Sequence, residues 1–498
     1  MVMKEMMALA SLAVMLLAAL HPAPPLADLT GPLAPWAEAD AAPAPAVVEV
    51  ELEVAARGPA GRTADRHGAA EATRRFYANR SFAPAWLAAE HPTPQALAVV
   101  EVLLAAASKG LDPEDYEAGR LADEVAALAV RPGLAAPAAL ARLDAALTRA
   151  VVRYAGDVGA GRIDPRDLGH DLWRPSARRD LVEVAEALVG APDAASALAA
   201  VEPTWPQYRA LLAALPRHPE EAGRIALALE RWRWLPPAAD GRVILVNIPE
   251  FRLQALEVSA GGAQVALDMA VVVGRADDPE RHTPLLALPL DNLVLSPAWE
   301  VPATIARRDL LPRFRADPGF AARLGYSLAG AGGSELVTPA GLEQWSAGAR
   351  RLSQAPGPLN ALGQVLFLFT NVDAIYLHDS PQRALFAEAR RDFSSGCVRV
   401  ADAPALAHWV LGGTAGWDAR RLSAAFGERT TRWVLPAHLP WVYLHYVTAS
   451  VGADGALLLH EDLYGQDARL AEALRAATGD QVADYQARRR PESMWTKS

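Results

Sequence analysis

Phe393-Ser394-Ser395-Gly396-Cys397-Val398-Arg399-Val400 holds the single cysteine of a 498-residue chain. Cysteines of exported proteins meet an oxidising compartment, where they usually pair as disulfides. A lone thiol has no intramolecular partner, so it points to chemistry, with an inert core cysteine as the alternative. The export reading comes from the start of the chain. Lys4 precedes a mainly apolar run over 6–20, and His21-Pro22-Ala23-Pro24-Pro25-Leu26-Ala27 follows it. That is the order of a signal peptide: basic residue, apolar stretch, small-residue exit. Residues 1–27 are therefore expected to direct export. The apolar run is short for a bilayer span, so no stable membrane span is expected after cleavage.

Residues 28–66, as at Ala41-Ala42-Pro43-Ala44-Pro45, are expected to form a disordered Ala/Pro-rich linker. From there to 235 the apolar spacing is helical, as over 94–107, 140–154 and 222–234. Helical texture then stops. Short β-branched runs over 243–248, 251–257, 269–273, 365–369, 375–378 and 441–448, separated by Pro and Gly, read as strands. Residues 302–351 read as helical and loop-rich. The length suits two or three domains. The net charge of −10, without a basic block, argues against a nucleic-acid partner. Gly330-Ala331-Gly332-Gly333 lacks the strand-to-helix setting of a phosphate loop and reads as a turn.

A thiol needs a base or a positive neighbour to ionise near neutral pH. His378 ends the predicted strand Ala374-Ile375-Tyr376-Leu377-His378, and Asp379-Ser380-Pro381 turns the chain away. A strand end followed by a loop can bring this imidazole to Cys397. Gly396 allows a sharp turn and close backbone approach, and the amides of Gly396 and Cys397 suit a developing oxyanion. Asp402 with Pro404 reads as a helix cap just downstream, whose dipole would favour thiolate if aimed at it. By spacing alone, His445 in Val442-Tyr443-Leu444-His445-Tyr446 has an equal claim to be the base. His282, His408, His438 and His460 read as surface or loop positions. No His/Cys/Asp cluster has metal-ligand spacing, so no metal is expected.

Tyr376-Leu377-His378-Asp379-Ser380-Pro381, followed by the cysteine stretch, resembles the signature of L,D-transpeptidases with a YkuD-type catalytic domain, and within them the large YcbB-like periplasmic subgroup. Ser296-Pro297-Ala298-Trp299-Glu300-Val301-Pro302 and Gln354-Ala355-Pro356-Gly357-Pro358-Leu359-Asn360 resemble it too. So do Val271-Val272-Val273-Gly274-Arg275 before Thr283-Pro284, and the tail Glu461-Asp462-Leu463-Tyr464-Gly465-Gln466-Asp467. Upstream, Gly110-Leu111-Asp112-Pro113 and Gly161-Arg162-Ile163-Asp164-Pro165 resemble the subgroup's helical scaffold.

The resemblance implies an α+β multidomain fold. An all-α scaffold over 67–235 precedes a mainly-β catalytic domain over 240–435 with a helical capping insertion at 302–351. A C-terminal strand and tail over 436–498 completes the scaffold. It implies Cys397 as nucleophile and His378 as proton donor and acceptor, with Ser395 and Gly396 beside the oxyanion site. Arg399, Tyr376 and Asp379 are implied as substrate-binding candidates, while Trp299 and Asn360 read as structural. No cofactor is implied. The expected activity is 3→3 cross-linking of peptidoglycan stem peptides in the periplasm, serving cell-wall biogenesis and cell shape, with carbapenem β-lactams as inhibitors. The alternatives are hydrolysis of the same bond and a non-catalytic wall scaffold. In three places the chain departs from the pattern. Ser395 stands where many YkuD domains carry His, though the subgroup shares this Ser. Leu366 stands where the subgroup often has Lys. A peptidoglycan-binding module, usual between scaffold and catalytic domain, is not expected here.

Overall fold

The computed structural model describes residues 66–478, except 89–90, 132–134, 171, 173–179, 237–239, 260–261, 318, 331–332 and 347–349. The signal-peptide and linker assignments, apart from Arg66, lie outside these residues. Helices build most of the first core: α1 (Ala69–Asn79), α2 (Pro94–Leu104), α3 (Ala118–Val130), α4 (Pro137–Ala160), α5 (Leu181–Gly190) and α6 (Ala194–Ala199), joined by loop residues such as Trp86. The long α4 is its axis. Asp144, buried on α4, accepts hydrogen bonds from Tyr77 Oη at 2.5 Å, Ala85 N at 2.9 Å and Trp86 N at 2.8 Å. One carboxylate thus satisfies the amides of a turn that packing alone would leave orphaned.

Two further helices, α7 (Pro206–Ala214) and α8 (Ala222–Trp234), are joined by short turns at Leu215–Arg217 and Pro219–Glu221. Their buried side chains belong to the core of the β domain: Trp205 meets Tyr443 edge-on at 5.6 Å, and Trp232 lies 4.7 Å from His445. Glu230 and Arg233 on α8 hold the helical region in return. Glu230 accepts from Ile163 N at 3.0 Å, and Arg233 donates to the Lys109 carbonyl at 2.5 Å.

The β domain is one strongly bent sheet. Its strands are β1 (Gly241–Asn247), β2 (Arg252–Ser259), β3 (Gly262–Gly274), β4 (Leu286–Pro289) and β5 (Asn292–Leu295). Beyond an insertion, whose strands are β6 to β9, come β10 (Val365–Leu368), β11 (Leu377–His378), β12 (Asp392–Ser394), β13 (Val398–Val400), β14 (Arg432–Val434) and β15 (Trp441–His445). The order across the sheet is β14-β5-β10-β11-β13-β3-β2-β1-β15-β4, with β12 also paired to β3. Residues 252–259 of β2 pair with the first part of β3, and β13 pairs with Val271 and Val272 near its end. One long strand therefore joins the two halves. The sequence suggested only 269–273, although Ala263, Val265, Leu267 and Met269 alternate with Gln264, Ala266 and Asp268 along the more exposed outer part.

The C-terminal segment corrects another expectation. Strand β15 does not complete the scaffold: it lies inside the catalytic sheet, parallel to β1 and antiparallel to β4. Helix α13 (Gln466–Thr478) then packs on α8. The insertion has its own core, around Phe314, Tyr326, Leu328 and Trp345. It is not purely helical. Besides α9 (Leu311–Ala316) and α10 (Pro339–Ser346) it carries a sheet in which β8 (Gly333–Leu336), β7 (Tyr326–Gly330), β9 (Arg351–Gln354) and β6 (Trp299–Glu300) are neighbours. The Gly-rich run at 330–333 falls at the β7–β8 hairpin, where Gly330 pairs with Gly333.

Arg231 of α8 is 1% exposed, ion-paired to Asp467 at the start of α13 and stacked on Tyr446 at 5.1 Å. Breaking such a pair leaves a buried charge without its partner, which costs about 3–5 kcal/mol. Asp467→Ala should therefore lower unfolding stability by about that amount in urea titrations. A loss below about 1 kcal/mol would show that α13 is held mainly by its apolar face.

Candidate active site

The site sits on the face of the sheet turned away from the main core. Alternation decides which side chains reach it, because successive strand residues point to opposite faces. Leu377, Val398 and Val400 are buried in the core, so Tyr376, His378, Cys397 and Arg399 share the other face. Strands β11 and β13 pair in parallel, with Leu377 opposite Val398 and His378 opposite Arg399. Cys397 is therefore the diagonal neighbour of His378, roughly 7–8 Å away at Cα, within reach of side chains.

His378 is 5% exposed, and its Nδ1 lies 2.5 Å from the Asp379 carbonyl oxygen. A carbonyl only accepts, so Nδ1 carries the proton and Nε2 keeps the lone pair. Burial pushes the His378 pKa down to about 3, and the Arg399 guanidinium adds to the effect. The imidazole is thus neutral at physiological pH. Burial pushes the Cys397 thiol up from its usual range, while the Tyr376 backbone amide and Arg399 pull it back. Both shifts disfavour a resting thiolate–imidazolium pair. The site is instead poised as neutral thiol and neutral base, with the proton moving as the sulfur attacks. In this structure the thiol faces the Ala374 carbonyl at 3.8 Å.

The turn before the nucleophile is braced from below. Gly396 has φ +111°, and a methyl group there would sit 2.8 Å from Ile375 Cδ1. Its carbonyl accepts from Thr283 Oγ1 at 2.7 Å, and the same hydroxyl accepts from Gly274 N at 2.9 Å. Tyr464 Oη donates to the Gly274 carbonyl at 2.8 Å, and its ring stacks on His282 at 3.9 Å. A side chain at Gly274 would collide with the Arg281 carbonyl and the Thr283 amide. Thr283 and Tyr464 were not singled out from the sequence as site residues, although both lie in stretches quoted for the resemblance. Nothing in their spacing linked them to Cys397.

The remaining candidates separate. Arg399 stays at the site and donates to Gln382 Oε1 at 2.6 Å. Tyr376 lies beside the sulfur, half-buried, with its ring against Phe369. Ser395 is half-buried, but it is Ser394 that shapes the turn, accepting from Gly396 N at 3.2 Å. That bond commits the Gly396 amide in this structure, so the expected pair of oxyanion donors is not free as a pair. Asp379 faces inward: its carboxylate accepts from Gln364 N at 2.9 Å and Arg383 Nη1 at 3.0 Å. It braces the turn rather than lining the cleft. His445 lies four strands from β13, packed on Trp232, so topology places His378 and not His445 beside Cys397. The α11 helix (Ala403–Leu411) forms as expected, but Asp402 occupies its N-terminus, accepting from Ala405 N at 3.0 Å. Asn360 is structural, donating to the Pro297, Gln354 and Ala355 carbonyls.

The insertion reaches the same region. Arg308 is ion-paired to Asp278 and Glu280, and Asp309 accepts from Arg281 Nη2 at 2.8 Å. The Arg281 carbonyl lies 3.8 Å from where a Gly396 Cβ would stand, so the insertion is tied to the loop beside the nucleophile.

A buried, neutral histidine diagonal to a braced cysteine is the arrangement of a cysteine acyltransferase or hydrolase. Comparison with known proteins finds two matching domains. The model for the L,D-transpeptidase catalytic domain matches residues 241–420, and that for its scaffold domain matches 71–215. A curated protein of Haemophilus influenzae, named "Putative L,D-transpeptidase", is 35% identical over 251 residues, which is 50% of this chain and 48% of that protein. The chain thus spans about half the length of the curated relative it matches. Over these matched segments the chain carries a helical scaffold domain before a mostly-β YkuD L,D-transpeptidase catalytic domain.

Two outcomes follow from this geometry. Alkylation of Cys397 should accelerate with rising pH through 9 and show no break between 5 and 8, because the thiol is shifted up and His378 protonates only near 3. A rate plateau between pH 6 and 8, measured with iodoacetamide, would instead reveal a resting ion pair. Separately, Thr283→Val removes the hydroxyl that donates to the Gly396 carbonyl and accepts from the Gly274 amide. Acylation of Cys397 should slow by about tenfold or more, with a stability loss of about 1–3 kcal/mol. Unchanged acylation in a destabilised variant would limit Thr283 to a folding role.

Proposed function

We propose that this protein is a peptidoglycan L,D-transpeptidase that forms 3→3 cross-links. The observation that supports it most is the neutral His378, its Nε2 lone pair free, beside Cys397 in a chain with this catalytic domain. Cys397 Sγ attacks the carbonyl of stem residue three while Nε2 takes the thiol proton. The Cys397 amide, which has no acceptor among the described residues, faces the developing oxyanion. Collapse breaks the bond to residue four; His378 returns the proton to the departing D-Ala amine, leaving a thioester. An amine of a second stem peptide then attacks, and the thiol is restored. Arg399 and Tyr376 are the substrate contacts nearest the sulfur. No helix of the described residues is long and apolar enough to cross a membrane. The leader expected over 1–27 supports work in the periplasm, and the same thiol would be the point of carbapenem acylation.

Hydrolysis of the thioester is the second reading, favoured where the cleft admits water. The ion pairs that tie the insertion to the 278–281 loop support transfer, since a closed cleft keeps the thioester dry. Purified protein incubated with tetrapeptide muropeptides should yield 3→3 dimers and free D-Ala by mass spectrometry, and Cys397→Ala should yield neither. Imipenem should add a single adduct at Cys397. Tripeptide without dimers would make the protein a carboxypeptidase, and no product from either substrate would refute the acyl-enzyme reading.

A further inference from the structure

Trp433 stands out on the catalytic face. It lies in edge strand β14 and is 64% exposed. Register places it in one row with the catalytic histidine: Trp433 is opposite Val294, Val294 opposite Leu366, and Leu366 opposite His378. Residues directly opposite one another share a face. Val434, Leu293, Val365 and Phe367, the alternate residues, all enter the main core. Trp433 therefore projects from the face that carries His378 and Cys397. Leu366 and Val294 lie between them, and Leu435 stands exposed just beyond β14.

The spacing is informative. Strands lie about 4.8 Å apart, so three steps put Trp433 about 14 Å from His378, and a fourth puts it about 19 Å from Cys397. A stem peptide has three residues between the scissile carbonyl and the glycan strand. At about 3.5 Å per residue they span about 11 Å, and the lactyl ether with half a sugar ring adds several more. An extended stem acylating Cys397 and passing half-buried Leu366, above the buried Val294, would bring its sugar toward Trp433.

The chemistry agrees. An exposed indole offers a flat apolar face for the C–H face of a pyranose ring, and its N–H a donor at one edge.

We propose that Trp433 is the platform of a glycan subsite, which binds the N-acetylated sugar strand bearing the donor stem peptide. This rests on the peptidoglycan reading above and extends it: the catalytic domain itself recognises the glycan, at the far end of the row that starts at His378. The subsite raises the local concentration of stem peptides at Cys397 without taking part in acyl transfer.

The test compares full-length wild type, Trp433→Ala and Trp433→Phe on uncross-linked glycan strands bearing tetrapeptides and on free tetrapeptide. Imipenem acylation of Cys397 checks that the fold and site are intact. Trp433→Ala should raise KM for the strand-borne substrate about tenfold, leaving free tetrapeptide and imipenem acylation unchanged, while Trp433→Phe keeps most of the binding. Equal KM values on strands for wild type and Trp433→Ala would overturn the proposal. So would a parallel loss on both substrates, which would place Trp433 against the peptide instead. If wild type acts on neither substrate, the transpeptidase reading fails by itself. Binding of peptide-free glycan strands then decides this one, with retention by wild type and loss in Trp433→Ala supporting it and no retention refuting it. A wild-type dimer in sedimentation that Trp433→Ala converts to monomer would assign the face to a second copy and overturn the glycan subsite.

Discussion

The parallel pairing of Leu377-His378 with Val398-Arg399 is the constraint on which the site depends. Two short strands hold it, and neither could form alone. Their apolar residues Leu377, Val398 and Val400 are buried in the main core, so a slip of one residue would expose them and bury His378 on the wrong face. Burial of three aliphatic side chains thereby decides where the base and nucleophile stand. Parallel strands need a long crossover between them, and residues 379–397 supply it, bringing β12 against β3 on the way.

That crossover ends in a turn whose support comes from distant parts of the chain. Thr283 ties Gly396 to Gly274 at the end of β3, and Tyr464, from the tail, closes the same network. A turn that exposes a nucleophile cannot bury enough apolar surface to hold itself. It is held instead by buried hydrogen bonds, which act strongly where water is excluded. Burial sets the electrostatics of the site as well. It holds His378 neutral and raises the Cys397 thiol, so charge develops only when substrate arrives.

Much was legible in the sequence. The lone cysteine, the strand-ending histidine and the Gly396 turn were visible because each is a local feature with a local cause. Helix spans such as Ala222–Trp234 followed from apolar periodicity, and the resemblance to L,D-transpeptidases followed from sequence motifs. Other assignments went astray where a local pattern served a distant partner. Strand β15 comes after the catalytic residues, yet lies inside the catalytic sheet. Asp379 resembles a cleft residue beside His378, but its carboxylate turns inward to Gln364 and Arg383.

The sequence by itself determined which chemistry is available: one thiol, a histidine able to activate it, and a glycine where the chain must turn. It also determined the class of fold, through the change from helical to alternating periodicity near residue 240. Only the tertiary structure decided which histidine stands beside Cys397. His378 and His445 both end strand-like runs, and strand order alone places one beside Cys397 and the other four strands away. It likewise decided that Thr283 and Tyr464 meet beneath residue 396. Such contacts depend on how strands are ordered and faced, and that order arises from burying the whole core at once rather than from any one segment.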